Sequence, residues 1–173
     1  TGPFKNFIKN NNNTVYNLLK KLRKLKLISS YYSIIVKKNV PVFGGLGGGT
    51  SNAAFILRHL LKKKAKENLI NNLANIIGSD LKLFFRKQGF VKNLNTIVEI
   101  KKKHKFYFVL IKPKIKCSTR EIYSKVKKFS RKKPFNKTLL RNRFKFLQYL
   151  CDSKNDLQFI VEKKYYIMKG ILK

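Results

Sequence analysis

Five of the chain's nine glycines fall within six positions, in "VPVFGGLGGGTSNAAF" at residues 40–55. Two hydroxyls, Thr50 and Ser51, follow at once, and then an apolar pattern at helical spacing. Glycine has no Cβ, so main-chain N–H groups there can approach an anion closely. The helix start that follows adds about half a positive charge. A strand-like run, tight glycines and a helix start together form an arrangement suited to holding phosphate. A flexible linker is the other reading of a glycine run. Linkers, however, join units across polar stretches, whereas this run stands between a β-branched segment and a helix start. A P-loop is excluded, because Gly49 is followed directly by Thr50 with no Lys. A dinucleotide fingerprint is excluded too, since Thr50 occupies the third glycine position counted from Gly45 and Gly47. A generic phosphate loop survives, with the Thr50 and Ser51 hydroxyls as extra donors.

Only seven residues are acidic, and one of them, Asp80, follows Gly78-Ser79 and precedes an apolar run. That placement suits a partly desolvated functional carboxylate. Aspartate also caps turns, and on the residues alone that reading is favoured. His59, His104 and Met168 suggest no site. Cys117 and Cys151 are too few and too isolated for a disulfide framework or a zinc site, which points to a reducing, cytoplasmic compartment.

The elements that must position these groups follow from spacing and breakers. Val15, Leu18, Leu19, Leu22 and Leu25 predict a helix over 15–27. "YYSIIVKKNVPV" (31–42) reads as a strand ended by Pro41. Thr50 or Ser51 is expected to cap the next helix, with Ala54, Leu57, Leu60 and Leu61 as its stripe. A further helix is expected over 66–77, stopped by Gly78. "LKLFFRKQGFV" (81–91) reads as a strand or hairpin, and "KFYFVLIKP" (105–113) as a buried strand. A helix capped by Ser118 or Thr119 follows, and 137–173 is mostly helical in pattern. Strands and helices mix without strict alternation, so the fold class expected is α+β. No apolar run approaches the roughly 20 residues needed to span a bilayer. The chain opens on Thr1, and the expectation is that residues are missing upstream.

Forty-one basic residues against seven acidic ones give a net charge of +34. Such a charge fits a nucleic-acid binder. Compositional drift toward Lys and Asn, as an AT-rich genome encodes, is the alternative. Drift is favoured, because the basic residues are scattered, Lys greatly outnumbers Arg, and Asn is abundant, as in "NNNNT" at 10–14. Nucleic acid is therefore expected to bind only non-specifically, through charge.

The segment "PVFGGLGGGTSNAA" (41–54) resembles the P-x-G-x-G-L-G-G-G-S-S-D/N-A-A loop of the GHMP kinases. Other segments match that family in order. "TGPF" resembles its S-G-P-F, and "IIVKKNVPV" the strand into its loop. "IGSDLKLFF" resembles L-G-A-D-V-P-F-F, "IKPKIKCSTREIY" the run P-x-x-x-x-S-T-x-x-x-Y, and "KNDLQFIV" S-N-D-L-E-x-x-V. The triple glycine is most similar to members that phosphorylate 4-diphosphocytidyl-2-C-methyl-D-erythritol in non-mevalonate isoprenoid biosynthesis. Homoserine and mevalonate kinases of the same family are the less similar alternatives.

The resemblance implies transfer of the ATP γ-phosphoryl group to the 2-hydroxyl of that substrate, with Mg²⁺ on the phosphate oxygens. Pro41, Val42, Phe43, Gly44, Gly45, Leu46, Gly47, Gly48, Gly49, Thr50 and Ser51 are implied to bind ATP. Asp80 is implied as catalytic base, and Thr119 and Tyr123 as nucleotide-recognition residues, with the Tyr123 ring stacked on cytosine. The implied fold is a ribosomal-S5-like N-terminal domain over 1–104 and a ferredoxin-like C-terminal domain over 105–173. Three departures stand out. Phe43 replaces a small residue, Lys82 replaces the proline after Asp80-Leu81, and "KNLNTIVE" replaces a turn that carries an acidic residue and glycines. The family's A-K-I-N-L strand and its T-G-S-G-A segment are not matched. The expectation is therefore a chain lacking both ends, of marginal stability and with little or no kinase activity alone.

Overall fold

The computed structural model describes residues 1–171 apart from 10, 12, 94, 95, 101–103, 132, 133 and 135. It divides into two units, one of residues 1–42 and 46–101, the other of residues 43–45 and 102–173.

In the first unit, α1 (Thr14–Lys24) starts where the Asn13 side chain accepts from the amides of Val15 and Tyr16, both at 3.0 Å. Its Val15, Leu18 and Leu22 are buried, at the spacing of one helical face. Helix α2 (Gly48–Leu61) buries Ala53, Ala54, Leu57 and Leu61, and α3 (Glu67–Ile77) buries Ile70, Leu73 and Ala74. Small residues at 53 and 54 keep the first half of α2 close to its neighbours. These faces share one core with Leu81, which lies in a 3-10 turn over Ser79–Phe85. Gly78, at φ 139°, turns the chain from α3 into that segment in a conformation that L side chains rarely adopt. Strands β1 (Gly89–Asn93) and β2 (Thr96–Glu99) form an antiparallel hairpin that pairs Gly89 with Glu99 and Val91 with Ile97.

In the second unit, α4 (Thr119–Ser124) is capped by the Ser118 hydroxyl, which accepts from the Glu121 amide at 3.4 Å. Helices α5 (Arg143–Cys151), α6 (Gln158–Lys164) and α7 (Ile167–Ile171) follow. The Glu121 carboxylate accepts from Lys164 and from Lys125 (3.1 Å), and the Tyr165 hydroxyl donates to the Lys116 carbonyl at 2.7 Å. His104 is buried against Phe106 and Phe146, and its Nε2–H donates to the Leu140 carbonyl at 2.6 Å. It is thus a satisfied core histidine, in line with its plain reading in the sequence.

The mixed α+β class stands, and several expected elements are corrected. Residues 31–42 form no strand. The main chain there bonds to the first residues instead, with Lys38 N–H on the Thr1 carbonyl (2.8 Å) and Phe4 N–H on the Lys38 carbonyl (3.3 Å). Residues 105–113 form no strand either, and Tyr107, Phe108 and Val109 are 92%, 85% and 90% exposed. An apolar run becomes a buried strand only where a neighbour pairs its main chain and covers its faces, and no described strand does so here. The strand or hairpin expected over 81–91 lies later, as a hairpin over 89–99, because Leu81 and its neighbours wind into the 3-10 turn. Among the described residues, no strand follows Glu99, and no helix is long and apolar enough to cross a membrane.

Candidate functional site

The glycine stretch runs directly into α2, with Gly47 as the helix cap at φ 64°, ψ 14°. No side chain caps this end. This corrects the expected cap: Thr50 and Ser51 lie inside the first turn, because the left-handed Gly47 caps the helix three residues ahead of Thr50 and four ahead of Ser51. The Ser51 amide makes the first helical bond, to the Gly47 carbonyl at 2.8 Å. Ser51 can therefore offer a ligand only its hydroxyl. The amides ahead of it, up to Thr50, have no acceptor within the helix. Together with the macrodipole they make an end that attracts anions.

The segment carrying Asp80 packs against this end. A Cβ built on Gly78 would lie 3.2 Å from the Thr50 hydroxyl, and one on Gly47 would lie 3.0 Å from the Phe84 ring. The 3-10 turn thus flanks the first turn of α2 at both of its own ends. Asp80 sits in the first turn of that segment and is exposed, which corrects the expectation of a partly desolvated carboxylate: it is Leu81, not Asp80, that turns into the core. Thr50 and Gly78, 28 residues apart in sequence (78 − 50), are thus brought together.

Two neighbours were not singled out in the sequence. The first is Lys38, half-buried beside the loop. With the Asn52 amide turned so that its nitrogen donates to the Gly48 carbonyl at 3.3 Å, its oxygen accepts from Lys38 Nζ at 2.9 Å. Burial lowers the pKa of Lys38 below the ordinary lysine value. A half-buried cation beside the positive end of a helix is a pairing that a bound anion relieves. Its only sequence signal was a Lys three residues before Pro41, lost among 41 basic residues. The second is Thr14, whose Oγ1 lies 2.7 Å from a Cβ built on Gly49, so the start of α1 abuts the start of α2. A polar cavity of about 230 Å³ adjoins Thr14, lined by Asn13, Thr14, Asn17, Ile76 and Ile77.

The remaining predicted residues are distributed as follows. Pro41 and Val42 are half-buried in the first unit, and Leu46 is 41% exposed. Phe43, Gly44 and Gly45 group with the second unit; Phe43 is half exposed at φ 61°, and Gly45 is at φ 69°. Thr119 and Tyr123 lie on α4 of the second unit, with the Tyr123 ring 53% exposed. Among the described residues, no group of three His, Cys, Asp or Glu could hold a metal ion.

Residues 13–83, from the cap of α1 to the turn beyond Asp80, match the model of the GHMP kinase N-terminal domain. Over 164 residues the chain is 36% identical to the 4-diphosphocytidyl-2-C-methyl-D-erythritol kinase of Pelagibacter ubique, covering 92% of this chain and 57% of that relative. The chain belongs to the GHMP kinase family. Two further GHMP relatives with the same name come from Buchnera aphidicola and a Sulfurihydrogenibium species. The first is 34% identical, covering 95% of this chain and 56% of the relative. The second is 35% identical, covering 70% and 46%. The chain thus spans about half the length of the curated GHMP relatives it matches. No solved structure matches it.

Proposed function

We propose that the chain takes part in the ATP-dependent phosphorylation of the 2-hydroxyl of 4-diphosphocytidyl-2-C-methyl-D-erythritol. The observation that carries this reading is the packing of the Asp80 segment on the glycine-started helix, through Thr50 on Gly78 and Phe84 on Gly47. Phosphoryl transfer requires held phosphates, neutralised charge and an oriented hydroxyl. The amides of Gly47, Gly48, Gly49 and Thr50 would hold the phosphates, with the Thr50 and Ser51 hydroxyls as further donors. Lys38 would add positive charge at the same end. Asp80, two residues beyond the Thr50 contact, would accept the proton of the attacking hydroxyl.

Thr119 and Tyr123 would contribute to recognition of the nucleotide, with the exposed Tyr123 ring available for stacking on cytosine. The described side chains do not amount to a resident Mg²⁺ site. The ion would arrive bound to the phosphate oxygens of the nucleotide. A ribosomal-S5-like part over 1–104 and a ferredoxin-like part over 105–173 complete the proposed architecture, and the cytoplasm is the proposed location.

The test is to measure ATP binding by the chain, and phosphate transfer to purified substrate by the chain completed with the family's A-K-I-N-L and T-G-S-G-A segments, with Gly48→Asp and Asp80→Asn variants. Gly48→Asp is expected to abolish ATP binding by placing a negative charge among the amides. Asp80→Asn is expected to retain ATP binding and lose transfer. Polyanion binding through the +34 charge would instead be steep in salt and indifferent to Gly48. Transfer by Asp80→Asn at the wild-type rate would remove the proposed base.

A further inference from the structure

Lys82 stands in the 3-10 turn that carries Asp80, where a proline would have fixed one φ angle. Something else must hold this turn in place. In the last turn of α2, the Arg58 guanidinium donates to the Phe84 carbonyl. The same group lies over the Phe85 ring at 5.0 Å and the Phe55 ring at 5.9 Å. Arg58 therefore grips the far end of the turn from the helix whose other end begins in the glycine loop. A guanidinium suits this double task, because it is planar, permanently charged and able to stack while it donates.

The geometry points to Arg58 as a positioning residue that fixes the Asp80 turn against the glycine-loop helix. The inference rests on the proposed role of Asp80, and the contact itself does not depend on that role. Besides Leu81, which is buried in the core shared with α2, three described contacts anchor the turn to that helix: Gly78 on Thr50, Phe84 on Gly47, and the Phe84 carbonyl on Arg58. The first two are van der Waals contacts at the N-terminal end of α2. Only the third is a charge-assisted hydrogen bond, so only it sets both distance and direction. Removing it leaves the turn held through Leu81 but loosens its Phe84 end, which changes how firmly Asp80 is placed.

The test compares Arg58→Leu, which keeps an apolar stem, with Arg58→Lys, which keeps the charge at the helix end but lacks the fork. Amide hydrogen exchange is read at Leu81 and Arg86, whose N–H groups bond to the Gly78 and Leu83 carbonyls at 3.0 and 2.9 Å. Arg58→Leu is expected to speed exchange there about tenfold, the equivalent of one exposed charge-assisted hydrogen bond, with α3 and the hairpin unchanged. Arg58→Lys is expected to restore part of the protection. Lys82→Pro, added to Arg58→Leu, is expected to restore it by another route.

In an enzyme completed with the family's A-K-I-N-L and T-G-S-G-A segments, Arg58→Leu is expected to lower kcat about tenfold, leaving KM for ATP within twofold. Unchanged exchange at both amides in Arg58→Leu would overturn the tether, as would a rise spread evenly over the first unit. Altered exchange with unchanged kcat would keep the tether and overturn its bearing on transfer. Full activity of Asp80→Asn would sink the role of Asp80 and leave the exchange result standing.

Discussion

Gly48→Ala separates what the fold requires from what a ligand requires. Each of three glycines at the start of α2 has its own physical account. Gly47 sits at φ 64°, where a side chain is strained. Gly49 has normal helical φ, but a Cβ there would fall 2.7 Å from the Thr14 hydroxyl. Gly48 has neither reason: its φ is not positive, and a Cβ would meet nothing within 4 Å. By folding energetics alone, alanine is the better residue at 48, since glycine costs about 0.5–1 kcal/mol in a helix. In a chain of this size that predicts a melting temperature higher by about 1–4 °C.

If phosphate approaches these amides, the added methyl group occupies part of the open space beside Gly48 and displaces an oxygen from its donor. Loss of one hydrogen bond to a charged group is worth about 1.5–3 kcal/mol, or roughly 10- to 150-fold in ATP affinity. The assay pairs a thermal melt without nucleotide with calorimetric titration of ATP. The expected outcome is a more stable protein that binds ATP more weakly. A variant that is more stable and binds ATP as well as wild type would refute the cradle. A less stable variant would refute the account of the empty space.

Three further outcomes are expected. Gly49→Ala should be neutral to about 2 kcal/mol destabilising through overpacking on Thr14, and should become stabilising by about 0.5–1 kcal/mol in a Thr14→Ala background; equal effects in both backgrounds, read by denaturant titration, would refute the contact. Phe43→Gly should stabilise by about 1 kcal/mol by relieving a left-handed aromatic residue, and no gain in the denaturation midpoint would count against strain there. The Glu121 link between α4 and α6 should respond to pH at both ends of the scale. Hydrogen bonds from Lys164 and then Lys125 hold the pKa of the Glu121 carboxylate below the ordinary value, and Glu121 holds that of Lys164 above its own. A lowered carboxylate pKa stabilises above the unfolded value and is lost as pH falls through the folded one. A raised lysine pKa stabilises below its unfolded value and is lost as pH rises through the folded one. Exchange protection of α4 should therefore be flat from about pH 4.3 to 10.4 and fall outside that window; a Lys164→Ala variant with the same profile would exclude this pair as its cause.

The helices of the first unit were legible because burial imposes their period. Leu18 and Leu22, Leu57 and Leu61, and Ile70 and Leu73 lie on the faces their spacing predicts, and all are buried. The strand readings at 31–42 and 105–113 failed for the opposite reason. Val36 and Val109 mark segments suited to a sheet, but a strand exists only in company, and its partners are set by topology, not by local composition. The loop was legible as glycines running into a helix start, because backbone geometry leaves its trace in glycine. Its cap was misassigned, since the left-handed Gly47 starts the helix without a side-chain cap and leaves Thr50 and Ser51 inside its first turn. Lys38 and Arg58 were illegible as individuals: a functional cation has no contrast in a chain with 41 Lys and Arg.

That lack of contrast also explains why a backbone site suits this composition. A phosphate site built from lysines would compete here with dozens of equivalent surface charges, and salt would weaken all of them together. Main-chain amides at a helix start are fixed in direction, carry no net charge, and are unaffected by exchange of surface residues for Lys or Asn. On the proposed function, selectivity for a triphosphate over polyanions in general would depend on the geometry of Gly47 to Thr50 and on how closely the Asp80 turn is held to them. The proposed site is accordingly expected to be more sensitive to one methyl group at Gly48, or to the Arg58 contact on Phe84, than to the loss of any single surface lysine remote from the loop.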